Sequence, residues 1–335
     1  MKRILILALA VVMLAGLAVP GFSAAAPRVG IVFDVGGLGD QSFNDSAYVG
    51  LKRVEKELGA KITYMESRTP SDYEPNLASL AREGYDVVWG IGFLMADAMK
   101  KVATQFPNTK FGIIDSAYSD DEYKAMKNVL GVVYKEHEGS FLVGVLAALT
   151  TKSNKVGFVG GMQFAVIERF EAGFKAGVWK TNPNIQIIVN YTGSFDDPAK
   201  GKTVATSMYR QGADVVFHAA GATGIGTIEA AAELGKWAIG VDSNQAHLAP
   251  KNVLNSMIKR VDIGVFEGTK QLLAPGFVAH TEAMGITQGG VGFVTDLSNN
   301  ASVSAVAKAN EWASKIKSGA YVVPEAPMAK ASDLK

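Results

Sequence analysis

Short apolar runs typical of β-strands alternate with longer stretches of helical periodicity along the chain. RVGIVF (28–33) and KITYME (61–66) are compact apolar runs, and SFNDSAYVGLKRVEKELG (42–59) between them has apolar residues at helical spacing. Gly59 is expected to cap the end of this helix. Strands that alternate with helices in this way predict parallel sheets covered on both faces.

The alternation occurs in two successive sets of similar size. KFGIIDS (110–116) lies near the end of the first set, and NVLGVVY (128–134) and KVGFVGG (155–161) begin the second. RFEAGFKAGVWKTN (169–182) in the second set is predicted to be a helix. Two such sets predict an α/β protein with two lobes of one architecture. After Asp242 the pattern loosens, so the later elements could cross back between the lobes.

The predicted strand ends carry polar and aromatic residues. In open parallel sheets, ligands bind outside the carboxyl ends of the strands. Two facing lobes with such edges predict a cleft. The residues expected there from the strand ends are Asp34, Gly92, Phe93, Asp115, Phe195, Gly221 and Asp242.

The first residues predict a secretory signal peptide over 1–25. Lys2 and Arg3 precede an apolar run over 4–19, and small residues at 23–25 follow it. This layout is typical of an exported chain cleaved after Ala25. The alternative is an uncleaved membrane anchor, for which the apolar run is short.

The charge and the cysteine content of the chain exclude several classes of function and site. The chain has 33 basic and 32 acidic residues, and removal of Lys2 and Arg3 leaves 31 against 32. A near-neutral chain without a basic stripe is not expected to bind nucleic acid. The chain has no cysteine, which excludes disulfides, thiolate metal sites and a cysteine nucleophile. It also excludes the lipid-modified cysteine of many exported binding proteins, so the protein is expected to be free in the periplasm.

A dinucleotide site is one alternative. AAGATGIG (219–226) follows a predicted strand and opens a helix, and Asp242 ends the next strand about 20 residues on. The glycines fall as G-x-x-G-x-G, however, and the unit belongs to the second lobe. A carboxylate at a strand end near a glycine turn also suits a ribose diol, so Asp242 stays a candidate for ribose.

A hydrolase is a second alternative. Asp34 and Asp115 could act as a paired acid and base. No G-x-S-x-G elbow is present, and the four histidines lack the spacing of a metal site. No catalytic residue, metal or cofactor is therefore expected.

Phe43 and Phe195 each follow a glycine-containing turn at a predicted strand end. Each alone could be a core residue. At equivalent edges of two lobes they could instead hold a flat ring between them. Lys259 and Arg260 are neighbours on a predicted strand, so only one of them can point into the cleft.

The sequence resembles the basic-membrane-protein family of solute-binding proteins, the nucleoside receptors of ABC importers. The resemblance covers almost the whole mature chain, in order. It is carried by GLGDQSFN (37–44), GIGFLMADA (90–98), FGIIDS (111–116), EGSFLVG (138–144), GGMQFAVIERFEAGFKAG (160–177), GSFDDPAKGK (193–202), GVDSNQ (240–245), SMIKRVD (256–262) and GGVGF (289–293).

The resemblance implies a type I periplasmic-binding fold, with two Rossmann-like lobes, a hinge and a ligand cleft between them. The expected lobes are 26–137 with about 258–283, and 138–257 with about 284–335. The implied ligand is a purine nucleoside such as guanosine, inosine or adenosine. Its base would stack between Phe43 and Phe195, with Asp34, Asn44, Gly92, Phe93 and Asp115 beside it, while Gly221, Asp242 and Lys259 would contact the ribose.

The implied function is a monomeric periplasmic receptor that presents this nucleoside to an ABC permease and meets the membrane only through it. Binding of another flat ligand such as a flavin, or of a sugar, is the alternative, and a nucleoside-cleaving enzyme is a further one. Four positions depart from the expected family pattern: Gly39, Ile225, Asn244 and Gln288. Gly39 is expected to change contacts to the base, and Ile225 to make the ribose side less polar.

Overall fold

The computed structural model describes residues 25–296 and 300–334. The expected signal peptide lies almost wholly outside these residues. In chain order the strands are β1 (Arg28–Phe33), β2 (Lys61–Glu66), β3 (Val87–Ile91), β4 (Lys110–Ile114), β5 (Val129–Tyr134), β6 (Lys155–Gly160), β7 (Gln186–Tyr191), β8 (Val215–Ala219), β9 (Trp237–Asp242), β10 (Val253–Lys259), β11 (His280–Met284) and β12 (Val291–Phe293).

Helices connect most of these strands, as the alternating pattern predicts. In chain order they are α1 (Phe43–Leu58), α2 (Tyr73–Arg82), α3 (Ala96–Gln105), α4 (Asp120–Ala125), α5 (Glu136–Thr150), α6 (Ala165–Thr181), α7 (Pro198–Arg210), α8 (Thr223–Leu234), α9 (Val261–Leu273) and α10 (Val303–Lys317).

The strands form two six-stranded sheets, one in each lobe. The first has the order β11-β5-β4-β3-β1-β2 and the second the order β12-β10-β9-β8-β6-β7. Neighbouring strands are parallel except β10 and β12, which are antiparallel. The inner strands β3 and β8 are buried along their whole length, whereas the edge strands β2 and β7 are partly exposed. The two-lobe α/β architecture expected from the sequence is confirmed.

The chain passes between the sheets at three places: after β5, after β10 and after β11. These crossings lie side by side. The backbone N–H of Lys135 donates to Met284 O at 3.1 Å, and that of Arg260 donates to Gly290 O at 2.8 Å. The crossings thus form a hinge at the β5/β11 edge of one sheet and the β10/β12 edge of the other. The two sheets show which strands belong to each lobe, but they do not define where one domain ends and the other begins. The residue bounds expected for the lobes therefore stay a prediction.

Helix α6 is held close to α5 by glycines. A Cβ on Gly173 would collide with the backbone of His137, and one on Gly177 with the backbone of Phe141. The close approach of these helices fixes α6, whose first turns face the space between the lobes.

Candidate functional site

The carboxyl ends of strands in both sheets border one cleft between the lobes, with about 550 Å³ of empty space, part of it open to solvent. All ten residues expected from the sequence line the cleft: Asp34, Phe43, Asn44, Gly92, Phe93, Asp115, Phe195, Gly221, Asp242 and Lys259. The structure shows that these residues border the cleft. That they contact a ligand stays a prediction.

Further residues line the cleft that the sequence did not single out as site residues. They are Gly36, Asp40, Val166, Ile167, Phe170, Ala219, Ala220 and Val241. Asp40 lies inside the GLGDQSFN motif, so that motif was the signal for it. Val166 and Ile167 were missed because the helix was predicted from Arg169, whereas α6 begins at Ala165.

The strand-end aspartates Asp115 and Asp242 have left-handed backbone angles, with φ of 65° and 64°. Residues with a side chain adopt this region uncommonly, although Asp and Asn tolerate it best. Such conformations are found at functional sites more often than elsewhere, where the surrounding structure holds them in place. Both carboxylates are buried and border the cleft.

Asp34 is held by a local network at the end of β1. Asn44 Nδ2 and the backbone N–H of Gly36 both donate to Asp34 Oδ1 at 3.0 Å. Burial raises the pKa of Asp34, and these hydrogen bonds oppose the shift. The bond also orients the Asn44 amide. Its Oδ1 atom is then a buried acceptor without a hydrogen-bond partner among the described protein groups.

Asp40 organises the start of α1. Its carboxylate accepts the backbone N–H groups of Ser42 at 2.9 Å, Asn44 at 2.8 Å and Asp45 at 3.1 Å. These include N–H groups that a helix cannot satisfy internally, and the Ser42 side chain makes no capping bond. Burial raises the pKa of Asp40 to about 7 against these hydrogen bonds. Asp40 therefore fixes the turn from which Phe43 and Asn44 project.

Lys259 is the cation of the cleft. Its Nζ lies 2.6 Å from Asp115 Oδ2 and 3.2 Å from Glu136 Oε1, and its side chain is 2% exposed. Arg260 points the other way: its side chain is 42% exposed and pairs with Asp262. Of these two neighbours Lys259 is thus the one that enters the cleft.

The buried charges around Lys259 shift one another's pKa values. Burial alone would lower the pKa of Lys259, but the carboxylates of Asp115, Glu136 and Asp242 outweigh it and raise the pKa. Burial raises the pKa of Asp115 to about 6, although Lys259 opposes the shift. Asp115 Oδ1 is another buried acceptor without a hydrogen-bond partner among the described protein groups.

Aromatic rings enter the cleft from both lobes. Phe43 begins α1 in the first lobe, and Phe195 follows β7 in the second. The ring of Phe195 packs over Gly161, where a Cβ would collide with it. Phe93 contacts Phe195 edge-on across the cleft, with ring centroids 6.3 Å apart.

Hydrogen bonds also join the lobes. Ser42 Oγ donates to Asp242 Oδ2, and Ser243 Oγ and Gln245 Nε2 each donate to Gln41 O at 3.1 Å. Residues before α1 in one lobe therefore contact residues after β9 in the other. The structure has the two lobes closed on each other.

The glycine turn at 219–226 does not form a phosphate cradle. Gly221 lines the cleft, but Gly224 packs against the ring of His218 and Gly226 against the backbone of Pro198. Gly226 thus allows α8 to approach α7 closely, and Gly224 allows it to approach β8. The imidazole of His218 is buried against Gln245, and its burial lowers its pKa to about 4.

The four departures from the expected family pattern lie outside the cleft lining. Gly39 is exposed, and its N–H donates to Asp45 Oδ1 at 2.8 Å. Ile225 is on α8 and is partly buried. The expectation that Gly39 and Ile225 change contacts in the pocket is therefore not supported by their positions. Asn244 and Gln288 are exposed.

No helix within residues 25–296 and 300–334 is long and apolar enough to cross a membrane.

Residues 28–326 match the model of the Bmp family, described as ABC transporter substrate-binding protein PnrA-like. The chain is 41% identical over 321 residues to the CD4+ T-cell-stimulating antigen of Listeria innocua, with 89% of this chain and 88% of that protein covered. It is 38% identical over 306 residues to the ABC transporter nucleoside-binding protein BmpA of Lactococcus lactis, with 84% and 85% covered.

Solved structures share the fold. An ABC transporter system solute-binding protein from Aeropyrum pernix K1 superimposes with a TM-score of 0.80 at 29% identity, covering 89% of this chain and 94% of that one. One from Conexibacter woesei superimposes with a TM-score of 0.73 at 23% identity, covering 90% and 99%. The periplasmic-binding fold expected from the sequence is confirmed.

Proposed function

The chain belongs to the Bmp family of PnrA-like ABC transporter substrate-binding proteins, and on that premise we propose that it binds a purine nucleoside between its lobes and delivers it to an ABC permease. ABC transporter substrate-binding proteins act outside the cytoplasm. Closure of two lobes around a ligand is an established mode of action for periplasmic binding proteins. The closed form is then the form that the permease recognises.

The composition of the cleft is the main support for this ligand class. Phe43 and Phe195 enter it from opposite lobes, with buried carboxylates beside them. Aromatic side chains bind a base by stacking, which requires no charge on the ligand. A relative from Lactococcus lactis is named a nucleoside-binding protein, which supports this ligand class.

The free acceptors favour a ligand rich in hydrogen-bond donors. Asn44 Oδ1 and Asp115 Oδ1 are buried and lack protein partners among the described residues, and a buried acceptor left unpaired is costly. Ring N–H and amino groups of a purine, or ribose hydroxyls, would satisfy them. We assign the base side to Asp34, Asn44, Phe93 and Asp115, with Gly92 allowing close approach.

The ribose side is assigned to Asp242 and Lys259, near the turn at Gly221. A carboxylate accepts from hydroxyl groups and an ammonium donates to them, so together they match a diol. Four carboxylates, Asp34, Asp40, Asp115 and Asp242, border the cleft beside Lys259. Their excess over the cation disfavours a phosphate group, so the ligand is expected to be a neutral nucleoside.

The proposal also covers the location of the protein in the cell and its oligomeric state. The segment 1–25 would direct export to the periplasm. The chain has no cysteine to carry a lipid, so it would be free there and would meet the membrane only through the permease. We expect a monomer, because both lobe tips must be accessible to the permease.

Thermal unfolding of refolded, ligand-stripped protein with a panel of compounds tests the proposal. A ligand at 100 times its dissociation constant adds ~2.7 kcal/mol to the stability of the folded state, which shifts the melting temperature. We expect shifts with guanosine, inosine or adenosine and none with ribose. A shift only with riboflavin or a sugar would contradict the ligand class, and release of free base during incubation would indicate an enzyme instead.

A further inference from the structure

The cleft has a hinge side and a far side, which the strand order defines. The chain crosses between the lobes at the β5/β11 edge of the first sheet and the β10/β12 edge of the second. In the second sheet β6 and β7 are the two strands farthest from this edge, and in the first sheet β4 separates β3 from β5. Residues that follow β6 and β7 therefore border the part of the cleft that opens most when the lobes rotate about the hinge.

Three phenylalanines meet at this far side. Phe93 follows β3 in the first lobe, and Phe164 and Phe195 follow β6 and β7 in the second. The Phe164 ring packs in a tilted contact against Phe93, with centroids 5.1 Å apart and an interplanar angle of 55°. Phe93 in turn contacts Phe195 edge-on, with an interplanar angle of 79°. Phe93 is thus held between two rings of the opposite lobe.

Phe164 does not line the cleft, and it is 42% exposed. Its backbone is nevertheless fixed, since Phe164 O accepts the N–H groups of Ile167 and Glu168 at 2.9 Å at the start of α6. Val166, Ile167 and Phe170 of the same helix line the cleft. The ring therefore moves with the wall of the second lobe and leaves Phe93 when that lobe moves away.

We propose that Phe164 is a positioning residue that closes the far side of the cleft. Its ring seats on Phe93 when the lobes meet, holds Phe93 against Phe195, and slows reopening. The effect of Phe164 on ligand release rests on the proposed function, because reopening releases whatever the cleft contains. The effect of Phe164 on closure of the lobes does not depend on which ligand binds.

Removal of the Phe164 ring should shift the balance between closed and open forms by roughly two- to tenfold, the range that one aromatic pair accounts for. The chain has no cysteine, so cysteines introduced at Asp97 and Thr203 would carry one fluorophore on each lobe without side reactions. Both positions are exposed and lie on α3 and α7. Single-molecule energy transfer then measures the closed-to-open ratio in ligand-free protein.

Phe164→Ala is compared with Leu234→Ala, which removes an apolar side chain of similar exposure, 41%, from the end of α8 in the same lobe. We expect a two- to tenfold lower ratio in Phe164→Ala, an unchanged ratio in Leu234→Ala, and recovery in Phe164→Trp. An unchanged ratio in Phe164→Ala, or an equal fall in Leu234→Ala, would overturn the inference.

The release rate of guanosine distinguishes this inference from the proposed function. Stopped-flow dissociation should be two- to tenfold faster from Phe164→Ala than from wild type, with little change in the association rate. Equal dissociation rates from the two proteins would overturn the role of Phe164 in ligand release. If the wild-type protein binds no nucleoside, the proposed function fails, while the ratio in ligand-free protein still decides whether Phe164 holds the lobes together.

Discussion

Asp115 and Asp242 combine an uncommon backbone conformation with burial at the cleft. A left-handed residue with a side chain costs on the order of 1–3 kcal/mol. Burial adds to this cost, since it raises the pKa of both carboxyls. The backbone conformation and the burial thus each cost free energy at corresponding strand ends. Ligand binding by these carboxylates would account for both costs, whereas a purely structural role would require neither.

The titration of Asp115 gives a prediction for stability against pH. Its pKa is raised to about 6 in the folded protein, whereas an aspartate in the unfolded chain titrates at ~3.9. The folded state holds the proton more tightly, so the stability gained from it is complete below pH ~4 and is lost as the pH rises through the folded-state pKa. Asp115→Asn removes this titration and keeps a residue that tolerates the left-handed conformation.

We therefore expect the free energy of unfolding of Asp115→Asn to rise relative to wild type between pH ~4 and ~7. Denaturant unfolding at several pH values measures this difference. Asp121→Asn is the control, because the side chain of Asp121 is 89% exposed, and it should follow the wild-type curve. A constant difference between Asp115→Asn and wild type over this range would show that Asp115 titrates as an ordinary exposed aspartate.

At the scale of elements, the start of α1 connects the helix to the site. Asp40 accepts three backbone N–H groups there, and the residues that follow, Phe43 and Asn44, line the cleft. Loss of an N-terminal cap costs ~0.5–2 kcal/mol of stability. Asp40→Ala should show this loss in denaturant unfolding and should also weaken nucleoside binding, because Phe43 and Asn44 lose their fixed position.

Ser302→Ala provides the matched control. Ser302 caps α10 by accepting the N–H of Ala305 at 3.2 Å, and it is not among the residues that line the cleft. Its loss should lower stability by a similar amount and leave affinity unchanged. Asp40→Asn keeps an acceptor oxygen and should recover part of both properties. Equal affinity in Asp40→Ala and Ser302→Ala would limit Asp40 to a structural role.

The sequence predicted most elements, because strand and helix periodicities are local signals. It placed the start of α6 at Arg169 instead of Ala165, since the packing of α6 against α5 is a tertiary effect that periodicity does not report. It also missed α4, a single short helix. The signal for α4 was present, because Ser119 and Glu122 form a capping box.

The site was predictable where residues follow strands directly, because the carboxyl ends of parallel strands meet at one edge. Phe170 was not predictable in this way, since it reaches the cleft from the second turn of a helix. The positions of Gly39 and Ile225 could not be judged from the sequence either. A loop residue and a helix residue near a motif can face solvent or a neighbouring helix, and only the fold decides which.

On the scale of the whole molecule, the cleft exists only because two lobes close on each other. The groups proposed to bind the base and the ribose come from both sheets, and Lys259 reaches from β10 of one lobe to Asp115 at the end of β4 in the other. Ligand contacts and lobe contacts therefore form together. Affinity should depend on both, which is why a residue outside the lining such as Phe164 is expected to affect release.

The proposed function requires a purine ring to bind between Phe43 and Phe195. Titration calorimetry of guanosine, inosine and adenosine with wild type, Phe43→Ala and Phe195→Ala measures this binding, with Phe277→Ala, which lies outside the cleft lining, as the control. Loss of stacking costs ~1–3 kcal/mol per base, so each cleft variant should bind roughly tenfold to a hundredfold more weakly while Phe277→Ala binds as wild type. Wild-type affinity in both Phe43→Ala and Phe195→Ala would show that no purine ring stacks between these two residues.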